Sequence, residues 1–196
     1  FWDATENRET DAFTELPTAG RWRFTDGGET IVSLVRGRVS QRRGRNFQEE
    51  TLLMDIGPRP SNSGPVARGP ASATFAPDVP LLAVGSANGR VEVWDWKRRE
   101  RVRELTAGEG VVSALGFLGK GTRLVIESGA QGTLALREWE LASGREARSW
   151  PTPGGFRSHV FSPDEKQIVA LGSGGAHWHI DLVTGRATRL NFDLRS

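Results

Sequence analysis

Apolar and polar residues alternate in short runs along most of the chain, and turn residues separate the runs. Leu81-Leu82-Ala83-Val84-Gly85 leads to Asn88-Gly89, and Arg90-Val91-Glu92-Val93-Trp94 follows with a period of two. That period puts alternate side chains on opposite faces of a strand. Asn-Gly is the strongest two-residue hairpin signal, because both central residues of a type I′ turn need φ > 0. Two antiparallel strands joined by a tight turn are therefore predicted here. Gln131-Gly132 and Gly174-Gly175 stand at the corresponding places further on, and Gly37-Arg38-Val39 is the earlier counterpart of Gly89-Arg90-Val91.

The runs belong to a repeat. Trp139-Glu140-Leu141-Ala142-Ser143-Gly144-Arg145 matches Ile180-Asp181-Leu182-Val183-Thr184-Gly185-Arg186, 41 residues later. Trp94-Asp95-Trp96 is a copy 45 residues earlier, and Trp2-Asp3 is one more at the start. In the repeat before Trp94, Arg42-Arg43 stands where the Trp-Asp pair belongs. A second phrase, Phe75-Ala76-Pro77-Asp78, returns as Phe161-Ser162-Pro163-Asp164, with weaker copies at Phe24-Thr25-Asp26-Gly27 and Phe117-Leu118-Gly119-Lys120. Each unit reads as four short strands: one ending at the Phe turn, the Leu-Ala-Val run, one ending at Trp-Asp, and one after the Ser/Thr-Gly-Arg turn. Arg101-Val102-Arg103-Glu104-Leu105 and Ala187-Thr188-Arg189-Leu190 are examples of the last. Four-stranded antiparallel units at a period of roughly 40–45 residues predict propeller blades, a β-sandwich being the alternative.

The Phe-Ser-Pro-Asp turn, the glycine-containing second hairpin and the closing Trp-Asp resemble the WD40-repeat family over nearly the whole chain. The repeats are degenerate: the family's Gly-His dipeptide is absent, so its Trp, Ser/Thr, His and Asp hydrogen-bond set is incomplete in every unit. The resemblance implies an all-β β-propeller with about four and a half blades in this chain. Residues 1–16 would be the last two strands of a blade; 20–56, 72–105, 110–150 and 156–194 would be whole blades. The Pro- and Gly-rich stretch 57–71 would be a linker. The repeat positions are Trp2, Asp3, Trp94, Asp95, Trp139, Glu140, Ile180 and Asp181. An open arc leaves apolar end faces in water, so upstream sequence or another chain is expected to complete the ring. The opening Phe1-Trp2-Asp3, without Met, is read the same way.

Composition changes this picture little. No cysteine occurs, which removes disulfides, thiolate catalysis and Cys-bound metals. No apolar run approaches the roughly 18 residues of a membrane span, so direct membrane insertion is not expected of this segment. The compartment stays open, with the cytoplasm slightly ahead of an extracytoplasmic one. A net charge of +2 argues against a polyanion-binding chain. Lys97, Lys120 and Lys166 are the only lysines among 26 basic residues. The base composition of a bacterial-like genome accounts for that skew; selection for bidentate guanidinium contacts is the alternative.

Candidate chemistry is sparse. His177 and His179 flank Trp178 on a predicted strand and share a face with Asp181, the pattern of a partial metal site, but a zinc site needs three or four convergent ligands. His159 stands apart. Gly172-Ser173-Gly174-Gly175 lacks the Lys-Ser/Thr of a phosphate loop and reads as a turn. No catalytic residue, metal ligand or cofactor site is assigned. Residues 36–45 hold five arginines and no acid, and Lys97-Arg98-Arg99-Glu100-Arg101 is a second basic stretch. Arg36, Arg38, Arg42, Arg43, Arg45, Arg98 and Arg99 are the candidate interaction patch, the alternative being a solvated hairpin whose arginines pair with nearby carboxylates. Without interleaved aromatics, nucleic acid is not the expected ligand. Trp94 and Trp139 should pack between strands, whereas Trp22, Trp96, Trp150 and Trp178 are candidates for binding, some of them core. The expected function is a non-catalytic scaffold for protein partners within a larger complex. A regulatory or sensor propeller fused to an enzyme or membrane anchor is second, and a propeller enzyme third.

Overall fold

A computed structural model describes residues 2–3, 8–9, 21–43, 49–56, 71–130, 133–172 and 174–191. The protein is all-β, as its repeat predicts. Strand β1 (Trp2–Asp3) pairs with β2 (Arg8–Glu9), and four four-stranded antiparallel sheets follow. They comprise β3 (Arg21–Thr25) to β6 (Glu49–Asp55), β7 (Ser72–Phe75) to β10 (Glu100–Thr106), β11 (Val111–Leu118) to β14 (Arg145–Pro151), and β15 (Phe156–Phe161) to β18 (Ala187–Leu190). Within each sheet the strands lie in chain order. The chain divides into two compact units, Phe1–Gly69 and Pro70–Ser196.

In the first unit, β4 (Thr30–Val35) and β5 (Arg38–Arg43) form the middle of one sheet, with Ile31, Val32, Leu34 and Val39 buried. Arg36 and Gly37 join them at φ 50° and 83°, the positive pair that a two-residue turn needs.

In the second unit three sheets stack through their first strands, β11 touching β7 on one side and β15 on the other. Ala83, Val91, Val93 and Leu105 of one sheet meet Leu115, Phe117, Leu124 and Ile126 of the next. Ala114, Val125, Leu136 and Trp150 in turn meet Phe156, Ile168, Ala170 and Ile180. Each fully buried Leu or Ile contributes about 1.5–3 kcal/mol. The join of β8 (Leu81–Gly85) and β9 (Arg90–Asp95) differs from the type I′ turn expected of Asn88-Gly89. Only Gly89 has positive φ, at 81°, and residues 86–90 make a longer loop. Ser86 is the reason: its N–H donates to Arg90 O (2.9 Å) and its Oγ accepts Arg90 N–H (3.1 Å). Glycine is required at 89, because a Cβ there would collide with the Gly108 carbonyl. Residues 131–132, and 57–70 of the expected linker, lie outside the described residues; Ala71 already bonds to Gly85 O (2.8 Å).

Candidate interaction surface

The hairpins that close each sheet of the second unit are organised by the acid of the Trp-Asp phrase. Asp95 Oδ1 accepts the N–H groups of Lys97 (3.0 Å) and Arg98 (2.9 Å). Asp181 Oδ1 accepts those of Val183 (2.8 Å) and Thr184 (2.9 Å). Those bonds, from Thr184 and then Val183, hold the Asp181 carboxyl below its ordinary value. Glu140, one methylene longer, accepts the Ser143 hydroxyl at 3.2 Å instead. Four residues after each acid the backbone turns left-handed: Gly144 at φ 70°, Gly185 at 75° and, without a glycine, Arg99 at 62°.

The Phe turns lie at the same end of the sheets. Trp96 N–H donates to Pro80 O (3.0 Å), Leu141 N–H to Thr122 O (3.0 Å) and Leu182 N–H to Lys166 O (2.8 Å). Between sheets, Glu165 reaches back to the preceding Phe turn, where both its oxygens accept Gly119 N–H (2.9 and 2.7 Å) and Oε2 also accepts Arg123 (3.1 Å). In the Asp164 turn the Ser162 hydroxyl (2.6 Å) and then Lys166 N–H (3.2 Å) hold that carboxyl below its ordinary value. All six turns of the unit therefore form one rim. Its carboxylates are largely engaged by backbone N–H groups, whereas Lys97, Arg98, Arg99, Lys120, Lys166 and Arg186 are exposed.

The candidate arginines are dispersed. Arg36 and Arg38 sit at the β4–β5 turn, Arg38 facing Asp55 at 3.7 Å. Arg42 and Arg43 lie at the far end of β5, on opposite faces, about 13–17 Å away at 3.3 Å per residue. Arg42 is half-buried and pairs with Glu50 at 2.7 Å, whereas Arg43 is exposed; Arg45 lies outside the described residues. Arg98, 3.8 Å from Asp95, and Arg99 are exposed on the rim of the second unit. Arg101, next to them, belongs to a carboxylate network with Glu92 (3.0 Å) and Glu104 (2.8 Å).

Four tryptophans of the second unit are buried or packed against its core clusters. Trp96 and Trp150 are buried, Trp139 packs against the first core cluster and Trp178 against the second. Trp94 Nε1 donates to Glu92 (3.1 Å), and Trp22 is half-buried. As binding candidates Trp96 and Trp150 are withdrawn, since no partner reaches them. Of Trp2 and Asp3 only the backbone pairing with Glu9 and Arg8 is described. Ile180, at the tryptophan position of the last sheet, is buried in the second cluster.

Two residues that sequence reasoning passed over join sheets. His159 Nε2 lies 2.9 Å from Leu115 O. Glu127, fully buried, accepts the Ser113 hydroxyl (2.5 Å) and Phe156 N–H (2.8 Å) at Oε2. Burial pushes its carboxyl up, against the lowering effect of those two bonds. Among the described residues no three His, Cys, Asp or Glu side chains gather as a metal set, and Asp181 is taken up by its turn. Nor is any described helix long and apolar enough to cross a membrane.

Known proteins with similar sequence carry WD repeats. The chain is 29% identical over 114 residues to the WD repeat and SOCS box-containing protein 1 of Takifugu rubripes, covering 56% of this chain and 26% of that protein. Its counterparts in Xenopus tropicalis and Homo sapiens are also 29% identical, over 116 and 119 residues. The chain thus spans about a quarter of the length of the curated relatives it matches. No family model matches it. Among solved structures, the computationally designed Ika8 protein shares the fold at TM-score 0.60 and 20% identity, over 86% of this chain and 47% of that one.

Proposed function

We propose that this chain is a degenerate WD40-type propeller segment that holds a protein partner and catalyses no reaction of its own. The four sheets are read as successive blades, with Trp2–Glu9 as the end of another. The observation that carries the reading is the rim: exposed basic side chains on turns whose backbone is pinned by Asp95, Asp164, Asp181 and Glu165. Rigid turns on a repeat scaffold are where such proteins vary and bind. Asp78, Glu100, Glu140 and Asp164 are also exposed on the rim, and a surface of mixed sign suits a protein better than a polyanion. Arg98 and Arg99 are its proposed contacts, with Arg36, Arg38 and Arg43 of the first unit a weaker second set. Purification of the intact protein should recover a stoichiometric protein partner, and Arg98→Glu with Arg99→Glu should weaken that association in a salt-dependent way. Unchanged binding removes the rim arginines from the site.

A second reading is a propeller that regulates other domains of a longer protein. It is favoured by the curated relatives, whose names join WD repeats to a SOCS box and of which this chain matches about a quarter.

A further inference from the structure

Five asparagines occur in the chain, and only Asn88 is followed by glycine. Asn88 is exposed, in the loop between β8 and β9. That loop lies at the end of its sheet away from the rim, because consecutive paired strands turn at alternate ends. The Asn88 carboxamide is held in place there. The Ser86 hydroxyl donates to Asn88 Oδ1 at 2.5 Å, with Arg90 O at 2.8 Å a second acceptor of the same hydrogen. Arg90 N–H, bonded to Ser86 Oγ at 3.1 Å, also points at Oδ1 at 3.4 Å. An asparagine whose Oδ1 meets the amide two residues on has folded its side chain back over the intervening peptide. This turns the carboxamide carbon toward the Gly89 nitrogen. Glycine has no side chain to shield that nitrogen, and among the described residues nothing accepts its hydrogen.

We propose that Asn88 is a site of spontaneous deamidation, a covalent modification that its own loop assists. The Gly89 nitrogen loses its proton to water and attacks Asn88 Cγ. Negative charge gathers on Oδ1, where the Ser86 hydroxyl and Arg90 N–H already point, as donors set at a developing oxyanion do. The bond from Cγ to Nδ2 breaks, and the amide nitrogen takes up a proton and leaves as ammonia. Water then opens the cyclic imide at either carbonyl, so that water is consumed, ammonia is released, and aspartate or isoaspartate stands at position 88. Both products place a new carboxylate two residues from Arg90, which pairs with Glu104 at 2.5 Å. Isoaspartate also routes the backbone through an added methylene. Ser86 O accepts Val112 N–H (3.0 Å) and Gly89 O accepts Ala107 N–H (2.8 Å). The added atom falls between these two ties to the segment that leads into β11, so the modification loosens the joint between two sheets.

Incubation of the intact protein in warm, mildly alkaline buffer, followed by peptide mass spectrometry, tests this. Position 88 should exchange its amide for an acid faster than any other asparagine of the native chain, and Asn88→Gln should remove the signal. Ser86→Ala should slow conversion about threefold to tenfold, as loss of one hydrogen bond does. Ser86→Thr, which keeps the hydroxyl, should restore the rate. In the isoaspartate fraction, separated by ion exchange, the amides of Ala107 and Val112 should exchange hydrogen faster than in the unmodified protein. A position 88 that keeps its amide in the native protein, whether or not the unfolded chain converts, would overturn the proposal. A folded Ser86→Ala protein that converts as fast as the wild type would overturn the assistance by the loop. Unchanged exchange at Ala107 and Val112 would overturn the loosened joint.

Discussion

Glu127 takes at one sheet junction the part that a backbone carbonyl plays at the other. Where the first strand of one sheet begins, Val112 N–H donates to Ser86 O at 3.0 Å; at the next junction Phe156 N–H donates to the Glu127 carboxylate at 2.8 Å. A titratable group thus closes a buried joint, and its carboxyl lies above the ordinary 4.5 because burial disfavours the charge. Folding consequently favours the protonated form. The stability it contributes is complete below pH 4.5 and is lost as pH rises through the raised value. Glu127→Gln should flatten that decline in denaturant unfolding measured across pH. Glu127→Ala leaves Phe156 N–H unbonded and leaves the Ser113 hydroxyl only its long bond to the residue-127 carbonyl (3.4 Å), and should cost about 1–3 kcal/mol.

Asp164 and Asp181 act in the opposite sense. Held below 3.8 in the fold, they contribute stability above that pH and lose it as pH falls through their lowered values. Asp181→Asn should weaken the acid limb of the same unfolding series and leave the limb above pH 4.5 unchanged.

Arg99 stands at a left-handed position that Gly144 and Gly185 fill in the sister turns. A side chain there costs about 1–2 kcal/mol, offset in part by the greater freedom of an unfolded glycine. Arg99→Gly is expected to stabilise the protein by on the order of 0.5–1 kcal/mol in equilibrium unfolding. Gly185→Ala should do the reverse by more, since its Cβ would strike the Trp150 ring. An Arg99→Gly protein no more stable than the wild type would show that the φ of 62° carries no strain.

The tryptophans and the rim arginines should separate cleanly. Trp96→Ala removes a buried ring and should cost about 3–5 kcal/mol of stability. The Arg98→Glu, Arg99→Glu double variant should unfold within about 0.5 kcal/mol of wild type, since the left-handed strain at 99 is the same for either side chain. Arg42→Glu sets a like charge against Glu50 in a half-buried site, and should destabilise by about 1–3 kcal/mol.

The fold was legible because period-two runs and turn phrases recur at a near-constant spacing, and among the described residues they became strands and hairpins. The turn at Asn88-Gly89 was not, since Ser86 bonds to Arg90 from outside the dipeptide. Burial of Trp96 was equally hidden: it follows Asp95 in an apparent surface turn, yet its N–H reaches Pro80 O and its ring turns inward. Within 36–45 the strand carries Arg36 and Arg43 to opposite ends of a sheet, a separation that contiguity in sequence does not display. The bridges from Glu127 and Glu165 join residues 29 and 46 positions apart, and no local pattern announces such pairs. That Lys97, Lys120 and Lys166 share one rim follows only once the turns are seen to lie together.

Those three lysines allow the most direct test of the scaffold proposal. Intact protein, purified with whatever it holds and treated with an amine-reactive crosslinker, is read by quantitative mass spectrometry. The account predicts a stoichiometric protein partner crosslinked to Lys97, Lys120 or Lys166. Recovery of no stoichiometric partner, together with turnover of a small molecule that is lost on mutation of His177 or His179, would contradict it.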